Sequence, residues 1–339
     1  MDTIVEFKSD VRYAYSTGRI RALETKLLSS SKVDKMVSSS SVNDALIYLE
    51  DTAYDDTIGE MKEPGKYKEL VNIEKMVSFE LMNRLIFDLE VKHLFRTPYD
   101  FHNIKVLLKG RLSEMNTSEI LTDFGTVPKK VMKSAFETDN FNLLPEFMRE
   151  VIGEALAHHY LNKNLKTMEF LIDAMEYNHL LFLAKKTAVP FLTNYIRMKI
   201  DLTNISTFLR VKYFDTKDNL EEALIDGGNI TINFLLTLIG DTLESLPSYF
   251  RNTPYNHLIE VGVRKIIEDG SFSNLDRESE NYIMKYMRLS RYVTFGVEPV
   301  AAYFVSRDQD LNIIKMILVG KLNQLPEDEI RERIPITFN

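Results

Sequence analysis

Asn103-Ile104-Lys105-Val106-Leu107-Leu108-Lys109-Gly110-Arg111-Leu112 is a helical phrase that this chain uses more than once. Asn204-Ile205-Ser206-Thr207-Phe208-Leu209-Arg210 opens the same way, and Asn312-Ile313-Ile314-Lys315-Met316-Ile317-Leu318-Val319-Gly320-Lys321-Leu322 is a third copy. A weaker copy, Arg19-Ile20-Arg21-Ala22-Leu23-Glu24-Thr25-Lys26-Leu27-Leu28, stands near the start. The isoleucines at 20, 104, 205 and 313 set steps of 84, 101 and 108 residues. Solenoid units run ~20–50 residues, so these steps describe something larger. They predict a helical module used three times (1–102, 103–203 and 204–311), with 312–339 as a closing helix and tail. Such a chain reads as a symmetric scaffold rather than a pocket enzyme.

Other elements keep step with the phrase. Ala45-Leu46-Ile47-Tyr48-Leu49 leads into a corner at Thr52-Ala53-Tyr54, and Leu246-Pro247-Ser248-Tyr249-Phe250 into one at Thr253-Pro254-Tyr255. Leu144-Pro145-Glu146-Phe147-Met148 is the middle version. Long amphipathic stretches follow at about 70–95, 164–186 and 275–295, and then Pro98, Pro190 or Pro299 precedes the next copy. The periodicity is helical almost throughout. Ile73, Val77, Leu81, Leu85 and Leu89 form one stripe, widened by Met76, Met82 and Ile86; Leu165, Met168, Ile172, Met175, His179 and Phe182 form another. Strand alternation is missing over any useful length. Asp218-Asn219-Leu220-Glu221 has capping-box spacing, Ser41-Val42-Asn43-Asp44 is a variant of it, and Pro326 before Glu327, Asp328 and Glu329 marks a helix start. Asp226-Gly227-Gly228-Asn229 reads as a turn, and Asp55–Lys68 as a polar loop.

Composition narrows the function. The formal charge of −8 argues against a dedicated nucleic-acid binder, whose footprint is basic. Zero cysteine excludes disulfides and thiolate metal sites. Met1-Asp2-Thr3 does not begin a secretory signal, and no apolar run approaches the length of a membrane span. The search for chemistry predicts no catalytic, cofactor or metal site. Gly65-Lys66 and Gly320-Lys321 lack the glycine loop and the Ser or Thr of a phosphate-binding motif. Asp123-Phe124-Gly125 stands without any other kinase signature. His158 and His159 are neighbours on one helix and point to different sides. Asp51, Asp55 and Asp56 suggest a magnesium-dependent all-α enzyme, but Gly59 spoils the helical aspartate motif that such chemistry needs. Arg12, Tyr15 and Arg19 fall at 3–4 spacing if their segment is helical, and arginine and tyrosine are enriched at interfaces. They are the candidate partner-docking residues. The bland reading packs Tyr13, Ile20 and Leu23 inward and leaves the arginines in surface ion pairs.

Tyr13-Ala14-Tyr15 followed by Arg19–Leu28, and then Leu49-Glu50-Asp51-Thr52-Ala53-Tyr54, resembles the opening of the C subunit of archaeal and bacterial V/A-type ATPases, relatives of the d subunit of the eukaryotic vacuolar ATPase. The resemblance runs the length of the chain through the later Asn-Ile helices. One departure stands in the third phrase, where Asp310 precedes Asn312 by two residues while Asp100 and Asp201 precede their asparagines by three. The resemblance places a local change at that helix start. It implies an all-α funnel of three similar helical sub-domains in pseudo-threefold arrangement around a central cavity. It also implies a non-catalytic rotor subunit without cofactors. The implied partners are the central stalk, through its D and F subunits, and the membrane proteolipid ring built of K/c subunits, on the cytoplasmic side and peripheral to the membrane. Torque for proton or sodium transport passes through such a protein. The alternative is a helical scaffold or adaptor unrelated to an ATPase.

Overall fold

A computed structural model describes residues 7, 9–60, 67–113, 117, 119–216 and 220–339, with the side chains of 58–60 and 67 excepted. Every regular element among them is helical, so the all-α class holds. The first helices are α1 (Ala14–Glu24), α2 (Ser30–Ser38), α3 (Val42–Ile47), α4 (Asp55–Glu60) and α5 (Tyr67–Leu85). Next come α6 (Leu89–Ser113), α7 (Lys129–Glu137), α8 (Glu146–Asn162), α9 (Leu165–Lys186), α10 (Pro190–Tyr213), α11 (Leu220–Ala223) and α12 (Ile232–Thr237). The last are α13 (Leu246–Phe250), α14 (Asn256–Asp269), α15 (Ser273–Arg288), α16 (Val297–Leu322) and α17 (Glu327–Arg333).

Local chemistry explains many of the ends. The Ser41 hydroxyl accepts the Asp44 N–H at 3.1 Å and donates to its carboxylate at 2.8 Å, so α3 begins as its capping signal indicates. Pro326 caps α17 ahead of three acids, and Pro190 occupies the first turn of α10. Asn164 takes the Lys166 N–H at 2.9 Å and starts α9. Gly270, at φ 74°, ends α14.

Some expectations fail for physical reasons. Asp55–Glu60 is helical despite Gly59, because the Asp55 carboxylate takes the Asp51 N–H at 3.1 Å and acids suit a helix N-terminus. Residues 61–66, including Gly65-Lys66, lie outside the described residues, as do Met1–Thr3, Asp218 and Asn219 of the 218–221 capping signal. Pro98 does precede the phrase at 103–112, but both lie within the one helix α6. α5 stops at Leu85, and its buried positions are Leu70, Glu74, Met82 and Leu85. The predicted stripe is rotated: Met76 and Val77 are exposed, and Glu74 takes the inward place.

The chain divides into two compact units. One comprises residues 1–87 and 241–339, the other 88–240. In the first, α16 packs on α1, α2, α3 and α5, and a core of Leu28, Met36, Leu49, Tyr54, Ile314 and Ile317 forms around it. In the second, α9 packs on α6, α8 and α10. Lys105 of α6 lies between Asp173 and Glu176 of α9, and Lys109 pairs with Glu169 one turn away. Burial opposes the charge on Lys105, but the two carboxylates outweigh it and raise its pKa.

Candidate functional site

Three long helices carry the same buried device. α6, α10 and α16 each present a fully buried aspartate: Asp100, Asp201 and Asp310. Asp100 accepts the Thr126 N–H on both oxygens at 2.9 Å, the Thr126 hydroxyl at 2.7 Å and the Val127 N–H at 3.2 Å. Asp201 accepts the Ile230 N–H at 2.9 Å and the Asn229 amide at 2.8 Å. Asp310 accepts the Leu28 N–H at 2.8 Å and the Tyr54 hydroxyl at 2.9 Å. Each aspartate therefore holds the turn that leads into a short helix, α7, α12 or α2. Eleven residues later each long helix carries a base: Arg111, Lys212 or Lys321. Lys212 donates to the Leu238 and Ile239 carbonyls at 3.0 and 2.9 Å, at the end of α12. Lys321 donates to the Val37 carbonyl at 2.8 Å and to that of Ser39, at the end of α2. Arg111 pairs with Asp139 just beyond α7. Eleven residues of α-helix span roughly 16 Å, which suits a short helix with its flanking turns. The negative group thus sits at the N-terminal side of the short helix and the positive group at its C-terminal side, as the helix dipole favours.

Two glycines fit the aspartates. A Cβ on Gly125 would fall 2.1 Å from Asp100 Oδ1, and one on Gly228 would fall 2.2 Å from Asp201 Oδ1. Asp123-Phe124-Gly125 therefore serves a structural turn. Asn103 and Asn204 add a second tie three residues after their aspartates. Asn103 exchanges hydrogen bonds with the Thr122 backbone at 2.8 and 3.0 Å, and Asn204 does so with Ile225 at 2.7 and 2.8 Å.

The third copy departs here, and its register needs correction. Counted from the aspartate, the equivalent of Asn103 is the buried Ile313, and the equivalent of Ile104 is Ile314. Asn312 is exposed and takes no part. No change in the helix start is involved, since α16 runs unbroken through 310–314.

Around Asp310 the structure places a buried polar network. Arg307, one turn back, pairs with Glu74 of α5, and both side chains are at most 5% exposed. Thr57 of α4 donates to Glu74 as well. Arg307 also donates to the Tyr303 hydroxyl at 3.2 Å and lies over the Tyr54 ring at 5.6 Å. Burial pushes the Asp310 carboxyl up to about 7, against the lowering effects of Leu28, Tyr54 and Arg307. Burial likewise pushes the Tyr54 phenol well up. The Thr52 hydroxyl donates to the Leu49 carbonyl and accepts the Tyr54 N–H at 3.2 Å. Thr253 repeats this, donating to Phe250 at 2.8 Å and accepting from Tyr255 at 3.3 Å. The corner predicted at those two places is thus one hydrogen-bonded turn used twice. The middle version differs: Pro145 caps α8.

The docking candidates lie on the surface of the first unit. Val11–Tyr13 forms a 3₁₀ turn capped by Asp10, and α1 follows without a break at Gly18. Arg12 turns back onto Asp10, with contacts at 2.7–3.1 Å. Tyr15 is 69% exposed, and Arg19 donates to its hydroxyl at 3.3 Å. The structure therefore joins Tyr15 to Arg19 and holds Arg12 apart from them. Beneath them Tyr13 and Ile20 are buried, and Arg21 forms the ion pair with Glu24. The sequence reading missed Glu74, Arg307 and the bases eleven residues after each aspartate. The available signal was charge at positions where the helical period asks for apolar residues.

The described fold is all-helical, and its buried aspartates and the Glu74–Arg307 pair tie distant parts of the chain together. The ATP synthase (C/AC39) subunit family model matches residues 16–333, and the chain belongs to that family. It is 21% identical to the V-type sodium ATPase C subunit of Enterococcus hirae over 93% of this chain and 95% of that one. It is 26% identical to the A-type ATP synthase C subunit of Thermococcus onnurineus (90% and 85%), and 22% to that of Methanocaldococcus jannaschii (94% and 85%). Among the described residues no helix is long and apolar enough to cross a membrane.

Proposed function

We propose that the chain is a non-catalytic rotor component of a V/A-type ATPase or ATP synthase. It links the D and F subunits of the central stalk to the membrane proteolipid ring and transmits torque for proton or sodium transport. In this reading it works on the cytoplasmic face, peripheral to the membrane, with three helical modules set as a funnel around a central cavity. The carrying observation is the family match across residues 16–333, supported by relatives named as C subunits along most of their length. The clamps fit a torque-bearing part, because an element tied at both ends resists displacement better than one held by apolar contact alone. Arg12, Tyr15 and Arg19 are the proposed docking residues for a neighbouring protein of the complex, chosen for their exposure and chemistry.

The assay is reconstitution of the complex with and without the chain, read as ATP-driven ion transport coupled to hydrolysis. Loss of coupling without the chain is the expected result, and intact coupling refutes the rotor reading. Arg12→Glu with Arg19→Glu tests the docking face separately. The variant should keep its helical circular dichroism, since Arg and Glu have similar helix propensities, and assemble more weakly. Normal assembly and coupling would remove the docking residues and leave the rotor reading standing.

A further inference from the structure

The three buried aspartates are equivalent in position but not in how they are satisfied. Donors reach both oxygens of Asp100 and both oxygens of Asp201. For Asp310 the Leu28 N–H and the Tyr54 hydroxyl both converge on Oδ2, and among the described residues Oδ1 is buried without a partner. An unserved oxygen on a buried carboxylate is costly, and protonation removes the charge that makes it so.

Other charges offset this deficit only in part: the Arg307 charge lowers the Asp310 pKa, but burial outweighs it. On α16 itself Arg307 is committed to Glu74 and Tyr303, and among the described residues its Nε has no partner. Glu74 of α5 is held by Arg307 and Thr57, and Lys75 pairs with Asp308 at 3.2 Å. On α1, Glu24 is held by Arg21; on α3, Asp44 by Ser40 and Ser41. Lys321 caps α2, Glu327 and Arg331 of α17 pair with each other, and Arg288 of α15 donates to the Phe338 and Thr337 carbonyls.

We propose that Asp310 is a proton-controlled latch between α16 and the N-terminal segment: as the neutral acid it holds Leu28 and Tyr54 in place, and as the carboxylate it favours their release. The latch joins residues 282 and 256 positions apart, so it governs how the last long helix closes on the start of the chain. The direction follows from linkage. The closed carboxyl titrates at about 7 and the released one near 3.8. Closure is therefore strongest in acid, weakens as pH rises between these values, and is level above about 7.

The test is amide hydrogen exchange of Leu28 in the full chain between pH 5.5 and 8.5, corrected for the intrinsic rate. Protection should fall about tenfold per pH unit up to ~7 and then level off, the behaviour of a single linked proton. Asp310→Asn, which cannot ionise, should remove the slope. A flat wild-type profile, or a slope that survives in Asp310→Asn, overturns the latch. If Asp310→Asn does not fold, carboxyl ¹³C shifts of the wild type decide. A buried Asp that titrates near 7, and moves higher in Tyr54→Phe as the carboxylate loses a donor, supports the latch. Titration of every aspartate below about 5 overturns it.

Discussion

Removing Arg307 alone should be among the most damaging single changes in the first unit. Its guanidinium neutralises Glu74 where the two side chains are 5% and 3% exposed. Arg307→Met keeps the volume and the helix propensity but leaves a buried carboxylate with only the Thr57 hydroxyl as a polar partner among these groups. Breaking a buried pair from one side costs ~3–5 kcal/mol, and the lost contacts to Tyr303 and Tyr54 act in the same direction. At ~1.4 kcal/mol per tenfold, about 4 kcal/mol lowers the folded-to-unfolded ratio by roughly three orders of magnitude. Replacing both partners, Glu74→Leu with Arg307→Met, removes the charges together and should recover most of that loss, because desolvating an ion pair consumes much of its attraction. Urea unfolding followed by circular dichroism measures both variants, with the transition of each unit fitted separately since two units need not unfold together. A single variant that loses less than about 1 kcal/mol, or a double variant at least as unstable as the single, would refute the reasoning.

Two further outcomes follow from the same geometry. Gly125→Ala and Gly228→Ala should each destabilise the second unit by ~1–3 kcal/mol through collision with Asp100 or Asp201. Gly153→Ala, where a Cβ meets open space on α8, should stabilise it by ~0.5–1 kcal/mol; thermal melts that rank the three otherwise contradict the aspartate clamp. His179 stacks on Phe147 at 4.2 Å, and burial holds its pKa below 6.5. The unfolded imidazole takes up a proton first as pH falls through 6.5, so the second unit should lose stability on acidification, and His179→Leu should reduce that slope in a pH series of melts. This is the opposite sign to Asp310 in the first unit.

What the sequence determined by itself was local. Helical class follows from a 3.6-residue period and from caps whose partners lie within four residues, such as Ser41 with Asp44. The order of the repeated phrases was legible too, and with it the family. The tertiary structure decided what depends on distant partners. Which face of α5 turns inward rests on Glu74 meeting Arg307, 233 residues away. Periodicity scores that position as a polar interruption, because it counts hydrophobicity along one helix and cannot see a charge supplied by another. The register of the third phrase was hidden for the same reason. Asn312 matches its relatives in the sequence, but Asp310 sets the alignment through Leu28 and Tyr54, and a buried carboxylate's place is dictated by the donors that fold around it.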